Sequence, residues 1–230
     1  QVQALEKSGA DIAYGPFVKG KISENTFTPT TSIIQGKGLP KLDLAETLVA
    51  RWSIIPHTCL FRRSIIEKSG GFPEDLRVAE DQLFFLNCLL AGALVVHTPH
   101  ALTLYREGNA DKLSESKLSN RSRDWSLFLL RARKLLIESG RDDPLKNARF
   151  KQRLWQAKQD LGEQAPELQK EIGNLLGDHK QWFFFMKKLS QYSAGLKQRV
   201  VGCRMDSSFQ TTPLTQKKYS MNDFFAQNKK

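Results

Sequence analysis

A chain of 230 residues, 40% hydrophobic and 26% charged, holds enough apolar material for a core in one or two domains. Its longest apolar runs, such as residues 83–90, fall far short of the roughly 20 residues that span a bilayer. Cys59, Cys88 and Cys203 are odd in number and widely spaced, which argues against a disulfide or zinc framework and fits a reducing compartment.

The formal net charge of +11 is unevenly placed. Residues 1–118 balance 13 basic side chains with 13 acidic ones, whereas residues 119–230 carry 22 against 11. That asymmetry marks a boundary near Ser119 and suits the second half to anionic lipid, an acidic polymer or nucleic acid. Nucleic acid is the weakest of these, because no zinc finger, RNA-binding motif or Arg/Gly-rich run accompanies the charge. A solvated basic surface is the plain alternative.

Residues 1–9 read as the end of a helix capped by Gly9. Residues 10–17 read as a strand, which residues 18–22 continue or pair with. The Thr-rich stretch 26–32 and residues 36–40 read as a loop long enough to cover a substrate. A helix is expected over 42–51, a short buried strand over 58–61 and a helix over 64–68, with Gly70 and Gly71 turning the chain. Residues 82–90 have the length and composition of a buried helix, in which Cys88 is a small buried hydrophobe. Short strands over 94–97 and 102–105 flank the turn at Pro99, and the alternation as a whole is α/β.

The second half is helical in pattern. Trp125, Phe128, Leu129, Leu135 and Leu136 recur at helical spacing over 120–139, and Gly140 ends the run. Asp143 and Pro144 are a good N-cap and first residue for a helix reaching about Leu161. Residues 167–176 and 180–200 continue the pattern. Trp182, Phe183, Phe184 and Phe185 wrap most of a helix circumference, so they are either buried on several sides or inserted into a partner or membrane interface. From Cys203 onward no period survives, which predicts a disordered tail.

The most informative stretch runs from Gly70 to Phe85. After the double glycine, Glu80 and Asp81 fall in the first turn of the apolar helix, where the helix dipole favours a charged carboxylate able to accept a proton. Acids are also common in first turns for structural reasons alone.

Cys59 to Phe72, with Arg62, Arg63 and the Gly70-Gly71-Phe72 turn, then Glu80-Asp81, then Leu104-Tyr105-Arg106, together resemble the acceptor-side half of family 2 glycosyltransferases. The segment from Gln3 to Gly15 also looks like the helix and strand that follow that family's Asp-x-Asp motif. The resemblance covers residues 1–118. It implies the C-terminal portion of a GT-A fold, followed by a basic helical extension over 119–202 and a tail over 203–230. It further implies inverting transfer of a sugar from a nucleotide-sugar to an acceptor hydroxyl, in polysaccharide or glycoconjugate synthesis at the cell envelope. Asp81 then stands as general base and Glu80 beside it, with Gly70, Gly71, Phe72, Arg62, Tyr105 and Arg106 at the acceptor site.

The nucleotide-binding half of such an enzyme, with the carboxylates that hold Mg or Mn against the diphosphate, is expected upstream of Gln1. This chain is therefore expected to be a fragment that holds no metal and is inactive in isolation. The implied partners are a nucleotide-sugar and a sugar or lipid-linked acceptor. The implied location is the cytoplasm, peripheral at the inner face of an anionic membrane. A glycosyltransferase remnant acting as a binding or assembly module through its basic helices is the alternative. His97 and His100 with His57 can be read as a metal site, but Pro99 breaks the element that would fix their geometry. Arg62, Arg63 and Arg106 are candidates for a phosphate or an acidic sugar, or are surface charges.

Overall fold

The computed structural model describes residues 1–34, 38–108, 118–163, 165–177, 219–221 and 224, with residues 118–120 given as backbone only. The expected helix over 180–200, its Trp182 to Met186 cluster and Cys203 lie outside them. The architecture is mixed α/β, with two small sheets and seven helices among the described residues.

The first helix, α1 (Val2–Ser8), stops at Gly9, whose φ of 69° allows its N–H to reach the Leu5 carbonyl. Strand β1 (Ile12–Tyr14) follows. It is buried on both faces: Ala13 packs with Leu5 on the α1 side, while Ile12 and Tyr14 face the main core. The expected strand over 10–17 breaks at Gly15-Pro16, and β2 (Phe17–Ser23) belongs to a second sheet. Gly15 is needed at this crossing, because a Cβ there would lie 2.2 Å from the Ala101 carbonyl oxygen.

The Thr-rich stretch differs from the expected loop. Residues Thr26–Pro29 form β3, paired antiparallel with β2 through a turn in which Glu24 takes a φ of 49°. Alternating Thr and apolar residues suit a half-buried strand, and Phe27 is fully buried in the small core of this sheet. Tyr219–Ser220, within the region expected to be a tail without structure, add a two-residue strand β7 on β3. Phe224 packs edge-on against Phe27.

Helix α2 (Leu44–Ala50) begins where Asp43 accepts a hydrogen bond from the Glu46 N–H at 2.9 Å. A single 3-10 turn (Pro56–Thr58) leads into β4 (Cys59–Phe61), then α3 (Arg63–Ser69), α4 (Glu80–Leu90), β5 (Val95–His97) and β6 (Thr103–Arg106). In the first sheet the order is β4-β1-β5, with β4 antiparallel and β5 parallel to β1. In the second it is β6-β2-β3-β7, with β6 parallel to β2.

Helices α5 (Leu118–Glu138), α6 (Ala148–Leu161) and α7 (Pro166–Leu176) form the basic region. Asp143-Pro144 starts a 3-10 turn (Pro144–Lys146) rather than the helix itself, and Asn147 recaps the chain by accepting from the Arg149 N–H at 2.9 Å. The buried stripe Phe150, Leu154, Ala157 and Leu161 repeats at helical spacing. One hydrophobic core runs from Ile12 through α2 and α4 to Leu176 on α7. The boundary near Ser119 is thus a boundary of charge that the core crosses. Among the described residues no helix is long and apolar enough to cross a membrane.

Candidate functional site

Gly70 and Gly71, with φ of 82° and 74°, end α3 and turn the chain, their N–H groups returning to carbonyls of the last turn of α3. Added Cβ atoms would meet nothing, so these glycines are required by backbone conformation and not by a close approach. The turn presents Phe72, 47% exposed, in a stack on Phe84 of α4 with ring centroids 4.1 Å apart.

The segment after Phe72 is fastened to α5. Arg131 pairs with Asp75, and the buried Asp124 carboxylate accepts from the N–H groups of Arg77 and Val78 at 2.9 and 3.3 Å. Ala79 then takes a left-handed conformation, φ 62°, in the core, and α4 starts directly after it with Glu80 and Asp81. A non-glycine residue held at positive φ stores strain, and the clamps before it and α4 after it hold it there.

This geometry aims the acid pair into a cavity of about 970 Å³. Phe72, Glu80, Asp81 and Tyr105 line it, so the structure brings together four of the residues assigned to the catalytic and acceptor site in the sequence. It places the others elsewhere. Arg62 donates to the carbonyls of Ala10 and Leu5 at 2.8 and 2.9 Å, which ties β4 to the end of α1. Arg63 pairs with Glu67 on the surface. Arg106 stands exposed at the end of β6, and Gly70 and Gly71 act through Phe72.

The carboxylates differ from expectation in one respect. Both Asp81 and Glu80 are pushed above the ordinary carboxylate range, first by burial and, for Glu80, also by the charges of Asp81 and Asp124. A hydrogen bond from the Gln82 N–H to Asp81 Oδ1 at 2.7 Å opposes the shift without cancelling it. The physical reason is scale. A first-turn dipole is worth about 0.3–1 kcal/mol, less than one pKa unit, and loss of water exceeds it.

The rest of the wall comes from residues that local sequence did not single out as partners of Asp81. His57 packs against Tyr105 with ring centroids 5.0 Å apart and planes tilted by 56°, and burial lowers its pKa. Lys19 lies 5.3 Å over the same Tyr105 ring. Arg153, half-buried, lies 4.9 Å from the centre of the Trp125 ring and donates to the Leu48 and Val49 carbonyls at the end of α2. Burial brings its pKa down to about 10. Arg153 carried a signal: it is a charge on the apolar side of α6, between Phe150 and Leu154.

The three histidines do not assemble. His97 packs at a tilt against Tyr14, 4.9 Å between centroids, whereas His57 packs against Phe17 and Tyr105. Among the described residues no three His, Cys, Asp or Glu side chains form a metal-holding group. Burial raises the Cys59 thiol to about 12 and raises Cys88 as well, which makes both poor nucleophiles.

No family model matches this sequence, and no curated protein matches it. Among solved structures the chain is similar to the crystal structure of S. aureus TarS 1-349 in complex with UDP-GlcNAc, at 13% identity and a TM-score of 0.39. The match covers 73% of this chain and 54% of that one, so the chain spans about half the length of the solved protein it matches. A likeness this distant carries no argument about function, which rests on the cavity and on the ordered motifs around it.

Proposed function

We propose that this chain carries the acceptor-side half of an inverting glycosyltransferase of GT-A type, with Asp81 as general base. The observation that supports this reading is the Asp81 carboxylate, held on the wall of a 970 Å³ cavity at the start of α4 and raised in pKa by burial. A base works best when its pKa approaches the operating pH, so desolvation makes this carboxylate more basic than an exposed one. In the proposed step Asp81 takes the proton of an acceptor hydroxyl as that oxygen attacks the anomeric carbon, and the nucleoside diphosphate leaves with the bonding electrons. Phe72 and Tyr105 offer ring faces to the apolar side of a sugar, and Glu80 orients the acceptor beside the base.

A divalent metal, which the family resemblance assigns to carboxylates outside this chain, has no fitting ligand set among the described residues. Peripheral contact with an anionic membrane belongs to the same reading. The apolar faces of α5, α6 and α7 are turned into the core, so among these helices such contact rests on charge.

The test is Asp81→Asn in a protein that joins this chain to a donor-binding half. Transfer should fall about 10²- to 10⁴-fold with donor affinity nearly intact. Retention of more than roughly a third of wild-type turnover would make Asp81 a helix-start residue. The base would then lie elsewhere, whereas absence of transfer by the wild-type joined protein would favour the alternative of a non-catalytic binding module.

A further inference from the structure

The cavity that holds Asp81 is lined by more cations than its two acids neutralise: Lys19, Arg51, Arg77 and Arg153 against Glu80 and Asp81. Several arginines elsewhere have carboxylate partners, while Arg62 is held by backbone carbonyls. Arg63 pairs with Glu67, Arg131 with Asp75, Arg133 with Asp143 and Arg141 with Asp43. Lys19, Arg77 and Arg153 have none among the described residues, although Arg153 is half-buried and gains only backbone carbonyls and a Trp125 ring. A buried cation without a counter-charge is costly, and the cost is relieved when an anion enters beside it.

We propose that this cavity binds an acceptor that carries an oxyanion, a phosphate ester or a sugar carboxylate, held by Lys19, Arg77 and Arg153 while Asp81 faces its hydroxyl. The inference rests on the transfer reading above and names its acceptor class. Arginine suits the task because its planar fork matches a carboxylate or phosphate with two parallel hydrogen bonds. Arg153 is further pre-set by the carbonyls at the end of α2 and by its stack on Trp125, so little side-chain freedom is lost on binding. The same positive wall keeps the acids in check, since an anionic acceptor would otherwise meet Asp81 and Glu80 with like charge.

An NMR titration of the 230-residue chain at low salt tests this, following the Trp52 and Trp125 indole signals, with glycerol 3-phosphate, glucuronate, inorganic pyrophosphate and neutral glycerol as probes. Saturable shifts are expected with glycerol 3-phosphate or with glucuronate, and whichever binds more tightly identifies the source of the oxyanion. Glycerol should leave the signals unmoved. Lys19→Met and Arg77→Gln, at positions outside the core, should each weaken binding at least about tenfold, and Arg153→Lys should lose less than Arg153→Met.

Three results would overturn the inference: no saturable shift with any oxyanion up to about 10 mM, binding unchanged in the Lys19 and Arg77 variants, or clear preference for pyrophosphate, which would assign the cations to a donor diphosphate. The Asp81→Asn chain should bind the oxyanion at least as well as wild type. Oxyanion binding without transfer in the joined protein would sink the transfer reading alone. Transfer without oxyanion binding would sink this one alone.

Discussion

Asp124 on α5 accepts a hydrogen bond from the backbone N–H of Arg77 at 2.9 Å, with Val78 donating to the same oxygen at 3.3 Å. A side chain from the basic helices therefore fixes the segment that delivers Glu80 and Asp81, 47 residues away from it in sequence. The charge-rich second half is part of the machinery that shapes the site. Asp124→Ala leaves two N–H groups without their acceptor and should cost about 1–3 kcal/mol of stability, read as a lower Tm. Asp124→Asn keeps one acceptor oxygen and should fall between. Equal stability of the Ala variant would show that the segment is held by Arg131 and packing alone.

The raised pKa of Asp81 has a sign that stability measurements can read. Its folded pKa lies above the ordinary value of 3.8, so the folded state binds this proton more tightly than the unfolded chain. The resulting stabilisation is present in full below the unfolded pKa and is lost as pH rises through the folded one. Asn mimics the protonated acid, so Asp81→Asn should raise Tm at pH 7, and the difference should vanish in acid. A lower Tm for the Asn variant at pH 7 would contradict the burial of this charge.

The pH profile of transfer should carry the same shift. Asp81 must be ionised to accept a proton, so the acid limb of kcat should rise with pH and lie above the range of an exposed carboxylate. Glu80→Gln removes a neighbouring negative charge but leaves in place the burial that chiefly raises Asp81. It should therefore leave the position of that limb nearly unchanged while altering KM. Absence of an acid limb in the wild-type profile would point to a different base.

Ala79 tests the strain at the start of α4. Replacing it by Gly relieves a left-handed conformation that costs about 1–2 kcal/mol, but exposes a methyl-sized gap in the core worth about 0.8 kcal/mol. The two nearly cancel, so Ala79→Gly should stay within about 1 kcal/mol of wild type, with unchanged oxyanion binding. Ala79→Val adds bulk and a β-branch at positive φ and should lose more than about 2 kcal/mol in denaturant melts. A neutral Val substitution would mean that the residue is free to leave this conformation.

Gly15 tests the join between the two sheets. A Cβ there would fall 2.2 Å from a backbone oxygen of Ala101, which cannot swing aside as a side-chain end can. Gly15→Ala should destabilise by about 1–3 kcal/mol and shift Tm accordingly. Little change would show that the β1 to β2 crossing is loose.

The sequence by itself determined the local elements. The caps at Gly9 and Gly70, the buried run of α4, the stripe Phe150, Leu154, Ala157 and Leu161, and the start of α4 at the acid pair all follow from short-range periodicity and backbone chemistry. It also marked Phe72, Glu80, Asp81 and Tyr105, because the turn and the ordered motifs around it are local. Only the tertiary structure decided the rest. The Thr-rich stretch became β3 because pairing with β2 buries Phe27, a gain that no local propensity reports. Arg62 became a tie between β4 and α1, whereas Lys19 and Arg153 became the wall facing Asp81. The direction of the Asp81 shift was likewise set by burial, which depends on segments distant in sequence closing over the first turn of α4. A helix dipole can be read from a sequence, but the removal of water cannot.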